Sequence, residues 1–171
     1  MRRFACTALL LAGMPAVAME PMVGAEFTWT RIKAGGETFN PLAARARLAL
    51  AVTPDWEVGV LAGGGFEDDE EVRVTAAIDT FQAAYVRYSA SLDTHARLVL
   101  TAGYGEMTLD ISTAFPGFPG SETYSGLMYG ISLQERLARW PHWVGSLDLE
   151  RWYDDNGLTI NAVSYGFRYA F

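Results

Sequence analysis

Apolar and polar side chains alternate residue by residue along most of the chain, in runs of about ten. Met22–Arg31 sets Val23, Ala25, Phe27 and Trp29 against Gly24, Glu26, Thr28 and Thr30. Leu42–Val52 sets Ala44, Ala46, Leu48, Leu50 and Val52 against Arg45 and Arg47. Trp56–Phe66 sets Trp56, Val58, Val60, Ala62 and Phe66 against Glu57, Gly59 and Gly63. Thr80–Leu92 sets Ala84, Val86, Tyr88 and Leu92 against Arg87, Ser89 and Ser91, with Phe81 and Tyr85 falling on the polar side. Ala96–Glu106 sets Leu98, Leu100, Ala102 and Tyr104 against Arg97, Thr101, Gly103 and Gly105. Gly126–Arg136 sets Leu127, Tyr129, Ile131 and Leu133 against Gly130, Ser132, Gln134 and Arg136. Trp143–Tyr153 sets Trp143, Leu147, Leu149 and Tyr153 against Ser146, Asp148 and Glu150. Leu158–Phe171 sets Val163, Tyr165, Phe167, Tyr169 and Phe171 against Ser164, Gly166 and Arg168. Period two predicts eight strands, each as long as a tilted strand needs to cross a bilayer.

Alternation alone shows only a half-buried strand, and three features turn it into a membrane strand. Aromatics close the apolar faces at the run ends: Trp29, Trp56, Tyr88, Tyr104, Trp143, Tyr153 and Tyr169. Rings with a polar edge favour the membrane–water interface. Connections alternate in length. Those after odd runs (32–41, 67–79, 107–125) are long except the last (154–157), and those after even runs (53–55, 93–95, 137–142) are short. Finally, the chain stops on Phe171 with aromatics at every second position before it.

An Arg facing lipid at mid-depth costs about 2–4 kcal/mol, which turns Arg45 and Arg47 toward the inside. The same argument turns Arg87, Arg97, Arg136 and Arg168 inward, alongside Glu26, Glu57, Asp148 and Glu150. Arg31, Glu135 and Arg151 fall on the outward face at run ends, within reach of the interface. Backbone groups in lipid must all be paired, so the sheet must close. The expectation is an all-β fold, an eight-stranded antiparallel up-and-down transmembrane β-barrel. Its lumen is filled either by ion pairs or by hydrated charges. In the paired arrangement Arg45 and Arg47 meet Asp148 and Glu150, while Glu26 and Glu57 serve the lower arginines.

Ser125–Gln134 (SGLMYGISLQ), Ser146–Asp154 (SLDLERWYD) and Val163–Phe171 (VSYGFRYAF) resemble the eight-stranded outer-membrane β-barrel domain family, which includes the OmpA-type and OmpX-type barrels and small porin-family surface proteins. The resemblance implies residence in a Gram-negative-type outer membrane, contact with its lipid and lipopolysaccharide, and no particular activity. It also implies that Tyr165, Phe167, Tyr169 and Phe171 form an assembly signal read by the barrel-insertion machinery.

Met1-Arg2-Arg3, an apolar run from Ala5 to Met14, and Ala16-Val17-Ala18 read as a secretory signal cleaved after Ala18. The domain division is therefore 1–18 signal peptide and 19–171 barrel, with both termini periplasmic. The signal carries Cys6, the one Cys, so no disulfide framework is expected. Thirteen basic against 20 acidic residues (net −7) speak against nucleic-acid binding. Glu67-Asp68-Asp69-Glu70-Glu71 is a charge block that suits divalent cations but lacks the spacing of a calcium loop, and reads more simply as a solvated anionic tip. Phe115-Pro116-Gly117-Phe118-Pro119-Gly120 gives the 107–125 loop apolar tips.

The two histidines, His95 and His142, fall in short turns and no His-x-Ser pair occurs, so no catalytic residue, metal ligand or cofactor site is assigned. The reading is a non-enzymatic surface or structural barrel with a possible loop ligand. A small pore is the alternative. A lipid A-modifying barrel enzyme and a soluble lipocalin-like binder rank lower.

Overall fold

The computed structural model describes residues 19–34, 36–71, 74–113, 120–155 and 157–171. The expected signal peptide and the apolar tips at Phe115–Pro119 lie outside the described residues. The described chain forms β1 (Glu20–Ala34), β2 (Glu37–Phe39), β3 (Leu42–Ala51), β4 (Trp56–Glu67) and β5 (Asp69–Glu71). It continues with β6 (Val74–Ser91), β7 (Ala96–Thr113), β8 (Ser121–Arg136), β9 (Trp143–Asp155) and β10 (Leu158–Ala170).

Eight long strands pair antiparallel with their chain neighbours, and β10 returns to pair with β1 from Met22↔Ala170 to Ala34↔Leu158. The result is a closed eight-stranded up-and-down barrel. Closure pairs each of the eight long strands on both sides, the one arrangement of strands that lipid tolerates. β2 and β5 are three-residue additions on β1 and β6. A side-chain hydroxyl or carboxylate caps two of the short turns. Thr53 Oγ1 accepts from the N–H groups of Asp55 and Trp56, and Asp93 Oδ1 accepts from those of His95 and Ala96. The start of β1 and the C-terminal residue lie at this same end of the barrel, where Phe171 N donates to Pro21 O.

Two expectations need correction. The segments 67–79 and 107–125 are not long loops, because β5, β6, β7 and β8 run through most of them and β6 and β7 reach 18 residues each. Thr108, Asp110, Ser121 and Thr123 are polar at positions where lipid-facing strands are apolar, yet the backbone ladder continues past the apolar band. The second concerns Tyr153. A register shift at Ile160/Asn161 turns it from the outer face onto the buried apolar cluster, where it meets Tyr124 at 5.4 Å.

The outer wall is apolar. Phe27, Leu48, Val60, Leu100, Leu127, Ile131, Leu149, Val163 and Tyr165 all stand exposed on it. Aromatics rim its two ends, with Trp56 against Tyr88 (5.1 Å) and Trp143 against Tyr169 (5.4 Å) at the short-turn end, and Trp29, Phe66 and Tyr104 toward the other. Such a surface facing water would be an unusually large apolar patch, and facing hydrocarbon it costs nothing. A lipocalin-like barrel has the opposite burial, so that reading falls.

Candidate functional site

Among the described residues, buried charge is concentrated in the lumen, which is filled in layers. Across the middle, Arg45 donates from Nε to Glu26 (2.5 Å) and from Nη1 to Glu150 (2.5 Å), with Asp148 at 3.9 Å. Arg47 meets the same two glutamates at 3.0 and 3.5 Å and lies 4.8 Å from the centre of the Tyr85 ring. Arg87 bridges Asp148, Ser132 (2.6 Å) and Thr101 (3.0 Å). Below, Arg168 holds both oxygens of Glu57 (3.2 and 3.1 Å), and the Tyr85 hydroxyl donates to Glu57 at 3.1 Å. Four arginines and four carboxylates thus form one continuous network with no side chain more than a few per cent exposed. Charges out of water persist only when paired and hydrogen-bonded in this way.

The register explains several of these contacts. Glu26 and Arg45 are direct cross-strand partners on β1 and β3. Glu26 and Glu150 each face a glycine on the other neighbouring strand, Gly166 and Gly130. A Cβ at either glycine would run into the glutamate side chain, so these two glycines make the room in which the carboxylates lie.

The arrangement differs from the expected one in two respects. Glu26 belongs with Arg45 and Arg47, not with the lower arginines, because hairpin register sets it beside Arg45. Asp148 pairs chiefly with Arg87 from across the barrel. Arg97 and Arg136 stand outside the network: Arg97 donates to Pro54 O (2.9 Å) and Arg136 is exposed. They line a vestibule of about 390 Å³ that opens among the short turns, with Glu57 at its floor. Strand parity turns both inward, but they lie too near the rim to be enclosed.

The layer toward the long hairpins is apolar, and the alternation did not show it. Ile32, Phe39, Ile78, Phe81, Met107, Leu109, Met128, Trp152 and Ile160 form a buried cluster inside the barrel. Phe81 and Trp152 meet edge to face at 5.3 Å. The signal was present as the misfit of Phe81 and Tyr85, apolar side chains on the inward parity: beside Phe81 the polar Thr80 and Gln82 are exposed, so the alternation persists with its faces exchanged. An ionic layer and an apolar layer therefore close the lumen in series. An eight-stranded barrel is narrow enough for side chains to do this.

The acidic block is part of a hairpin. Asp69 Oδ2 accepts from Asn40 N (2.7 Å), tying the β5 hairpin to the β2 hairpin. Among the described residues no group of three or more His, Cys, Asp or Glu side chains is placed to hold a metal ion. His142 Nδ1 lies 3.0 Å from Ala170 O, and its ring stacks on Tyr169. His95 sits in the β6–β7 turn.

This closed eight-stranded fold is shared with solved outer-membrane proteins. Ail, the attachment invasion locus protein of Yersinia pestis, matches over 90% of this chain and 99% of its own, with a TM-score of 0.66 and 18% identity, in a complex with the heparin analogue sucrose octasulfate. Neisserial surface protein A matches over 88% and 97% (TM-score 0.68, 13% identity). The N-terminal β-barrel domain of Pseudomonas aeruginosa OprF matches over 86% and 97% (TM-score 0.57, 15% identity). The chain has the eight-stranded outer-membrane β-barrel fold. No protein-family model and no curated protein sequence matches it. At these identities the likeness carries the fold and nothing about activity.

Proposed function

We propose that the chain is a non-enzymatic outer-membrane protein, closed to solutes, that works through its exposed long-hairpin end. The observation that carries this is the double seal inside an apolar-walled cylinder. The Arg/Glu/Asp layer blocks the middle and the Phe81–Trp152 layer blocks the end above it. A pore would need both layers to part, at the expense of several buried ion pairs.

In this reading residues 1–18 are the export signal and 19–171 the mature barrel, with both termini periplasmic. Tyr165, Phe167 and Phe171 stand exposed on the closing strand or at its end, and Tyr169 is half-buried among Trp143 and Phe171. These four form the surface offered to the assembly machinery. At the other end the rim on the β4–β5 side is acidic, with Glu67, Asp68 and Glu70 exposed. A ligand for this rim is therefore neutral or cationic, unlike the sulfated sugar seen with Ail.

Two measurements test the reading. The purified protein should migrate differently on detergent gels before and after boiling, and it should remain silent in planar bilayers. Stepwise conductance would establish the pore alternative, and a protein monomeric and folded without amphiphile would end the membrane assignment.

A further inference from the structure

Among the described residues, the exposed cations at the long-hairpin end are gathered on one side of the barrel. Arg31 and Lys33 project outward from β1 and Arg151 from β9, with Asn161 of β10 between them. Arg31 pairs with Asn161 in the sheet, and Asn161 with Arg151, so the three lie in one row. Arg151 is already oriented: its Nε donates to Asn161 Oδ1 (3.0 Å) and its Nη1 to Asp154 Oδ2 (2.7 Å). Two of its five donors are used, and the side chain stays 37% exposed. Strand β7 lies four strands from β1 in either direction and two from β9, and its outward charges are acidic, Glu106 and Asp110.

The row sits on a sharp boundary. Two residues along each strand, on the same outer face and toward the short-turn end, stand Trp29, Val163 and Leu149, all exposed. Cation over apolar wall on β1 and β9, with the polar Asn161 of β10 between them, has the chemistry of a phospholipid-like head and its chains. Acyl chains lie on the wall, and phosphate oxygens reach guanidinium and ammonium groups.

We propose that Arg31, Lys33 and Arg151 bind the phosphate groups of an outer-leaflet glycolipid, whose acyl chains pack on Trp29, Leu149 and Val163. The site rests on the membrane reading above and adds a fixed position for the lipid. It makes the barrel two-sided, with phosphates held on the β9–β10–β1 wall and repelled from the β7 wall.

The test uses the purified protein in phosphatidylcholine vesicles doped with bis-phosphorylated lipid A, or with the same lipid stripped of phosphate. Lipid retained after detergent extraction is counted by mass spectrometry. A net gain of about two surface cations predicts roughly thirtyfold enrichment of the phosphorylated form. The triple variant Arg31→Gln/Lys33→Gln/Arg151→Gln should abolish it, while Arg136→Gln/Arg139→Gln at the short-turn end should leave it intact. Folding of each variant is read from the boiled and unboiled gel bands.

Equal retention of both lipids, or undiminished enrichment in the folded triple variant, overturns the proposal. So does release of the lipid by excess inorganic phosphate, which would mark a mere anion site, or cross-linking of two copies through this wall. Failure to insert into vesicles overturns the membrane reading and this inference with it. Insertion without enrichment overturns the inference alone.

Discussion

Arg45→Met removes one partner from the centre of the lumen and leaves the shape nearly filled. Arg45 touches Glu26 and Glu150, each at 2.5 Å, with Asp148 at 3.9 Å. At an effective dielectric near 20, a charge pair at about 4 Å between centres is worth about 4 kcal/mol. Two such contacts are offset by the desolvation of the guanidinium and by Arg47, which still reaches both glutamates. The net cost of breaking a buried pair from one side is about 3–5 kcal/mol. The assay is urea unfolding of the protein in lipid vesicles, followed by tryptophan fluorescence and gel mobility. Replacing Glu150 as well, in Arg45→Met/Glu150→Leu, removes the orphaned carboxylate and should recover most of the loss, because a whole pair can be exchanged for apolar groups at little cost. A single variant that loses less than about 1 kcal/mol, with the double variant no better, would refute the argument. The lumen charges would then be hydrated and nearly independent.

Other outcomes follow from the same structure. Trp152→Ala opens a cavity in the apolar layer and should cost about 3–5 kcal/mol in the same unfolding assay, yet leave planar-bilayer conductance at baseline, since the ionic layer still closes the lumen. Gly166→Val forces a side chain into the Ala25 carbonyl and the Glu26 side chain, and should cost at least about 1–3 kcal/mol and reduce the folded gel band. In the β6–β7 turn, the N–H groups of Ala96 and His95 hold the Asp93 carboxyl below its ordinary value. Its contribution is therefore present above the unfolded carboxylate pKa and lost as pH falls through the folded one. Unfolding measured from pH 7 down to pH 3 should show a shallower acid-side decline in Asp93→Asn than in the parent. Phe171→Ala should lower the amount of barrel inserted in cells while leaving refolding of the purified chain into vesicles unchanged.

Period two by itself determines the strand number, the antiparallel meander and the inward parity of Glu26, Arg45, Arg47, Glu57, Arg87, Asp148, Glu150 and Arg168. A side chain facing hydrocarbon and one facing a lumen obey opposite rules, and strands alternate between them without exception until a bulge intervenes. The bulges at Ile78/Thr80 and Ile160/Asn161 are where counting fails, and Tyr153 is the residue it misplaces. Around Phe81, Met107 and Leu109 the inward positions turn apolar while Gln82, Glu106 and Asp110 beside them are polar and exposed, so the alternation continues with its faces exchanged, and the apolar layer was hidden for that reason. The same exchange at Asp110 and Thr123, whose neighbours Leu109 and Tyr124 pack inside, made strands read as loops.

Partner choice within the lumen belongs to the tertiary structure. Alternation says that Arg87 and Asp148 point inward. Only the stagger of the closed sheet brings residues from β6 and β9 to the same height across the axis. The same stagger sets Arg31 and Arg151 in one row on the outer wall, although 120 positions of sequence separate them. Local chemistry fixes which way each side chain faces, and closure of the cylinder fixes what it meets there.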